Sequence, residues 1–167
     1  TLSYLLYLIM QKLIILNTRK VKKIKEILIK QFGFFPKHDY AFLQNEKNRI
    51  FMVNKDFGRI DLDKLRIDRF GLYFAEHKDN HVRLSKEGAQ FLARMAKEEK
   101  KELENVFELD EPEMRTYFKG QDLIKDLGSE ARLILLKYKK DIFGCAKYKE
   151  GKILNFLPKI HRGEVIL

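Results

Sequence analysis

Apolar and polar positions along the chain change period several times, and each change marks an element. Over residues 18–32, Val21, Ile24, Leu28 and Phe32 recur at helical spacing with Ile27 beside them, which predicts one amphipathic helix. Asn17 or Thr18 stands at its start as a cap, and Gly33 followed by Pro36 ends it. Ahead of it, Lys12–Leu16 reads as a buried strand; behind it, Tyr40–Leu43 and Arg49–Val53 read as a hairpin around Asn45–Asn48. A short helical or irregular piece is expected over Lys55–Lys64. Leu65–Glu76 is a strand region in which Gly71 predicts a bulge or a close backbone approach. Lys78-Asp79-Asn80 then turns the chain into His81–Leu84. Ser85 caps a helix to about Ala96, with Ala89, Leu92, Ala93 and Ala96 as its core contacts.

The second part of the chain changes character. Lys97–Glu104 is a run of both charge signs without glycine or proline, read as an exposed helix end and as the best domain boundary. Val106–Leu109 is a short strand. Asp110 and Glu113 form a capping box around Pro112 and open a short helix that ends at Gly120, and 121–128 is a loop. Three apolar-rich runs follow: Arg132–Lys137, Asp141–Tyr148 and Lys152–Phe156. Tyr138-Lys139-Lys140 and Lys149-Glu150-Gly151 separate them, which predicts a small antiparallel β unit.

Composition adds charge to this picture. The chain has 167 residues, enough for one large domain or two small ones, and its formal net charge is +10. Such a balance favours an acidic polymer over an acidic metabolite as partner. Basic residues crowd the C-terminal β unit at Lys137, Lys139, Lys140, Lys147, Lys149, Lys152, Lys159, His161 and Arg162, a footprint suited to a phosphate backbone. The plainer explanation, lysine as a solubilising surface, stands beside it. The first helix carries Arg19, Lys20, Lys22, Lys23, Lys25 and Lys30 against the single acid Glu26, either as a solvated face or as a contact surface.

One cysteine, Cys145, allows no internal disulfide, so nothing points to an oxidising compartment and a cytoplasmic location is expected. The apolar run Tyr4–Met10 is too short to span a bilayer and lacks the flanks of a signal peptide, so no membrane is expected among the partners. Met10 precedes the first well-patterned element. Residues 1–9 are therefore either an extension ahead of a natural start or a first strand or helix packed on the core.

Candidate chemistry is sparse. The isolated glycines match no phosphate-binding loop. His77 and His81 have the spacing of metal ligands on a helix, yet Asp79-Asn80 between them reads as a turn, and a surface pair is expected instead. Cys145 sits in an apolar strand and reads as a small buried hydrophobe ahead of a nucleophile. Asp56, Asp61, Asp63 and Asp68 alternate with basic residues and read as local ion pairs. No catalytic residue, metal site or cofactor is expected. Phe143, Tyr148 and Phe156 are read as core first and as base-stacking aromatics second.

Certain motifs resemble known families. Phe118-Lys119-Gly120-Gln121-Asp122-Leu123, Leu133-Ile134-Leu135-Leu136 and Ile142-Phe143-Gly144-Cys145-Ala146-Lys147 resemble a PUA domain, a small RNA-binding β-barrel. The stretch from Gly151 to Lys159 looks like the PUA-like tail of Sun-family RNA cytosine-5 methyltransferases. Phe42-Leu43 through Val53, Leu72-Tyr73-Phe74 and Val82-Arg83-Leu84-Ser85 are similar to the pre-PUA domain of an archaeal and eukaryotic ribosome-biogenesis factor, nuclear import protein seven. No methyltransferase cofactor fold precedes the PUA-like part, so the resemblance implies RNA binding without methylation. The loop after Gly120 departs from the pattern in its acidity at Asp122, Asp126 and Glu130.

The expected fold is therefore α+β: a pre-PUA-like α/β domain over residues 1–104, then a PUA-like β-barrel over 105–167 able to fold alone. The expected function is RNA binding in rRNA or tRNA maturation or as an accessory to RNA modification, with ribosome-assembly or RNA-modification proteins as further partners. The expected RNA-binding residues are Lys119, Lys147, Lys149, Lys152, Lys159 and Arg162, with Asn155 reading a base edge. The alternatives are a protein-interaction subunit without direct RNA contact, an enzyme whose site is not visible in the sequence, and a purely structural protein.

Overall fold

A computed structural model describes residues 13–37, 40–54 and 72–163. Among the described residues the fold is α+β, with three helices and two five-stranded sheets. The first sheet is a meander of β1 (Ile14–Ile15), β2 (Tyr40–Gln44), β3 (Arg49–Asn54), β4 (Leu72–Lys78) and β5 (His81–Leu84), each strand antiparallel to the next. Helix α1 (Thr18–Phe32) follows β1, and α2 (Lys86–Glu98) follows β5. The second sheet contains β6 (Val106–Glu108), β7 (Leu123–Ile124), β8 (Arg132–Tyr138), β9 (Asp141–Lys149) and β10 (Lys152–Leu154), in the order β6-β8-β9-β10-β7. Helix α3 (Glu111–Phe118) lies between β6 and β7 in the chain, and a 3-10 turn covers Lys159–His161.

Local chemistry accounts for most of these boundaries. The Asn17 side chain accepts the Lys20 N–H at 2.9 Å and starts α1, and Gly33, at φ 78°, stops it. Ile24, Leu28 and Phe32 of α1 are fully buried. In α2 the buried contacts are Ala89, Leu92, Met95 and Ala96; Met95 replaces the expected Ala93 because the helix presents a slightly rotated stripe. Asp110 and Glu113 make the reciprocal capping box that opens α3. The β9–β10 connection has Glu150 at φ 50° and Gly151 at φ 73°, the pair of positive φ values that a two-residue hairpin of matching twist requires.

Two features differ from the sequence-based expectation, and one pairing adds to it. The expected 121–128 loop contains β7, which pairs with β10 through Ile124↔Lys152 and Leu123↔Ile153. β6, expected only as a short strand, joins β8 in parallel. The sheets are open, and one of them curls into a half-barrel in place of a closed barrel. Edge strands β6 and β7 have only three and two residues, too few to carry a closing ladder. The expectations for residues 1–12, for Lys55–Lys64 and for Gly71 lie outside the described residues.

The two parts of the chain share a core. One apolar cluster joins Ile24, Leu28 and Phe32 of α1, Phe42, Ile50 and Phe74 of the first sheet, and Leu92 of α2 to Leu133, Leu135 and Cys145 of the second sheet. A second cluster fills the other side of the second sheet with Met114, Tyr117, Ile134, Leu136, Ala146, Tyr148 and Ile153. β8 is thus covered on both faces, which explains why Leu133-Ile134-Leu135-Leu136 is apolar without alternation. The junction is also tied by hydrogen bonds. Glu104 N donates to Phe32 O at 2.8 Å, and Asn105 Nδ2 donates to Gln31 O at 2.7 Å. A fragment starting at Asn105 keeps the second cluster but opens Leu133, Leu135 and Cys145 to water. It is expected to melt below the full chain and to self-associate in size-exclusion chromatography; a monomer melting with the full chain would show that the first cluster adds nothing to this part.

Candidate nucleic-acid interface

Cross-strand neighbours share a face of a sheet, so the registers of β7, β8, β9 and β10 define one surface. Leu135 pairs with Cys145 and Leu133 with Lys147; on the other side of β9, Lys147 pairs with Leu154 and Lys149 with Lys152. Lys152 in turn pairs with Ile124. The face that is buried under the helices at Leu133, Leu135 and Cys145 therefore continues outward as Lys147, Lys149, Lys152, Leu154 and Ile124. Lys149 and Lys152 are exposed, and neither forms an ion pair with a described carboxylate. Ile124 is 88% exposed among them.

The remaining expected site residues lie elsewhere on the same part. Lys119 caps α3 and is exposed, as is Lys159 in the 3-10 turn. Arg162 donates from Nε to Leu157 O at 2.9 Å and lays its side chain over Gly120, where a Cβ would come within 2.5 Å of Arg162 Cδ. Gly120, at φ 88°, thus lets the last described residues close against α3, helped by the Gly163 N–H on Phe118 O at 2.9 Å. The structure gathers Lys147, Lys149 and Lys152 on one face, and lays Arg162 over Gly120, the residue after Lys119.

Asn155, expected to read a base edge, is engaged within the fold. Its Nδ2 donates to Tyr117 O at 2.6 Å and to Gln121 O at 2.8 Å, and its Oδ1 accepts the Leu157 N–H at 2.9 Å. An amide with both donor hydrogens and its oxygen engaged has little left for a base. Two carboxylates of the acidic loop each hold a backbone N–H. Asp122 Oδ1 accepts the Asn155 N–H at 2.8 Å, and Asp126 Oδ1 accepts the Gly128 N–H at 2.9 Å.

Of the three aromatics, Phe143 and Tyr148 are core, and Phe156 is 36% exposed. The Arg83 guanidinium stacks over the Phe156 ring with Cζ 4.5 Å from its centroid, and Arg83 Nη2 pairs with Glu76 Oε2 at 2.9 Å. Sequence reasoning omitted Arg83 because Phe156 reaches it from the segment after β10, more than seventy residues on; the alternation of β5, exposed at His81, buried at Val82 and half-buried at Arg83, shows only that it faces away from the core.

The other candidate chemistry resolves plainly. Burial in the shared core pushes the Cys145 thiol up to about 12, so it stays a protonated packing group at neutral pH. Burial likewise raises the Tyr117 hydroxyl. His77 is lowered, chiefly by burial, and it bonds the carbonyl of Asp79 in the β4–β5 turn at 3.1 Å. Among the described residues no group of three or more His, Cys, Asp or Glu is placed to hold a metal, and no helix is long and apolar enough to cross a membrane. Asp56, Asp61, Asp63 and Asp68 lie outside the described residues.

This arrangement is an α+β protein with a small, cation-faced second sheet. Residues 104–162 match the family model of the methyltransferase RsmF PUA domain, and this part of the chain is similar to that domain. No curated protein matches the chain.

Proposed function

We propose that this protein binds RNA through its PUA-like part and acts in rRNA or tRNA maturation or beside an RNA-modifying enzyme, in the cytoplasm. PUA domains are generally RNA-binding modules. The observation that carries the reading is the exposed pair Lys149 and Lys152 on adjoining strands, continued by Lys147, without described carboxylate partners. Lysines so placed neutralise phosphates and release their counterions. Lys119, Lys159 and Arg162 extend the contact around Gly120. Residues up to about 104 are read as a pre-PUA-like part on the motif resemblance alone. A second reading, a subunit whose face meets a protein, is favoured by Ile124 and Ile160, each 88% exposed.

Crosslinking the full chain to total cellular RNA and sequencing the bound fragments tests the proposal. Enrichment of rRNA or tRNA segments over a mock control is expected. No enrichment of any RNA would favour the protein-partner reading.

A further inference from the structure

A cleft runs between the two sheets. Its outer part, about 390 Å³, is lined by Lys78, Arg83, Lys147 and Phe156 among others. It continues into a larger part, about 810 Å³, past His81 and toward Lys30 of α1. Both parts are lined by His81, Ala131, Arg132 and Leu133, so they adjoin. Glu76 and Asp79 are the carboxylates of the outer part, against Lys78, Arg83, Arg132 and Lys147. Arg132 is committed to the fold through Asn105 Oδ1, Glu130 O and Leu127 O. Arg83 is shared between Glu76 and the Phe156 ring. Lys78 and Lys147 remain without a described ion-pair partner.

Resting on the RNA-binding reading, we infer that this cleft takes a single-stranded segment of the RNA and stacks one unpaired base on the Phe156–Arg83 pair. The physical argument has three parts. A flat ring with a guanidinium stacked on it is a platform on which a base gains stacking and cation–π contact together. The backbone that carries the ring is held before binding: Asn155, the residue before Phe156, is bonded to Tyr117, Gln121 and Asp122, so that part of the ordering cost is already met. Lys147 lines the same cleft and stands on the exposed lysine face, so a backbone crossing Lys152 and Lys149 arrives at Phe156 by way of Lys147. A paired duplex hides its base faces, and a space of about 390 Å³ does not admit its width. An acidic protein segment would use the lysines but would leave the ring platform unused.

The test uses a fluorescein-labelled 12-nucleotide uridine homopolymer and a 12-base-pair RNA duplex, read by anisotropy with the full chain. Phe156→Leu is expected to weaken the single strand by about tenfold, with the salt dependence and the duplex affinity unchanged. Phe156→Tyr, which restores a ring, is expected to return affinity to within about twofold of the parent. Ultraviolet crosslinking of the parent to the uridine strand, followed by peptide mass spectrometry, is expected to mark the peptide containing Phe156. If Phe156→Leu binds the strand like the parent while Lys149→Ala with Lys152→Ala weakens it, the RNA lies on the lysine face without entering the cleft, and this inference fails with the RNA-binding reading intact. If the parent binds neither RNA, both fail.

Discussion

Replacing Gly88 with alanine is expected to destabilise the protein by about 2–3 kcal/mol, against the usual rule for a helical glycine. In an ordinary helix interior, alanine gains about 0.5–1 kcal/mol over glycine. Here α2 begins where β4 bulges. The β3–β4 ladder steps from Ile50↔Ala75 to Phe51↔Tyr73, leaving Phe74 as the extra residue. The freed Phe74 carbonyl accepts the Ser85 N–H at 2.9 Å, and the Ser85 hydroxyl donates to Tyr73 O while accepting the Gly88 N–H at 2.9 Å. A Cβ on Gly88 would lie 2.0 Å from Phe74 O and 2.9 Å from Phe74 C. Both are backbone atoms with no rotamer to yield, so α2 must move off the sheet. A fall in melting temperature of roughly 5–10 °C is expected by calorimetry. An unchanged or higher melting temperature would mean that the bulge does not hold α2 as described.

Asn155→Ala is expected to cost a similar amount, about 2–3 kcal/mol, and to do so without RNA present. It removes one of the two hydrogen bonds to the carbonyl of the buried Tyr117, which keeps the Gly120 N–H at 2.9 Å, and leaves the Gln121 carbonyl and the Leu157 N–H without their side-chain partner. Those groups pin the segment after β10 to the end of α3. If Asn155 instead read a base, its loss would lower RNA affinity with the melting temperature unmoved. Thermal melts of the free protein separate the two. Asn155→Asp is expected to be no rescue, because it removes both donors and turns a carboxylate toward two carbonyl oxygens.

The elements that the sequence made legible are those whose causes are local. Asn17, the stripe Ile24-Leu28-Phe32 and Gly33 specify α1 within one stretch of chain, and Asp110 with Glu113 do the same for α3. The hairpin connections of the second sheet were legible from Lys139-Lys140 and Glu150-Gly151 for the same reason. What escaped depends on distant partners. β7 is two residues long and exists because β10 pairs with it from nearly thirty residues on. Asn155 finds its partners 33 to 38 positions earlier in the chain, so its spacing gave no sign that its amide would be consumed. Gly88 matched no nucleotide fingerprint and was otherwise silent; its use, the approach of α2 to Phe74, is a tertiary fact. Lys147, Lys149 and Lys152 were legible as cations crowding the turns of the β unit, whereas their common face follows from the strand registers and the Arg83–Phe156 pair from packing of β5 against the segment after β10.

The central claim is that Lys149 and Lys152 meet the phosphate backbone of an RNA, and the salt dependence of affinity tests it most directly. Binding of the 12-nucleotide strand is measured from low to moderate salt for the parent and for Lys149→Ala with Lys152→Ala. Each phosphate neutralised on a single strand contributes about −0.7 to the slope of log K against log salt. The double variant is expected to bind more weakly and to flatten the slope by roughly one to one and a half units, with its melting temperature close to that of the parent because both side chains are exposed. A double variant with the parent's affinity and the parent's slope would contradict the account.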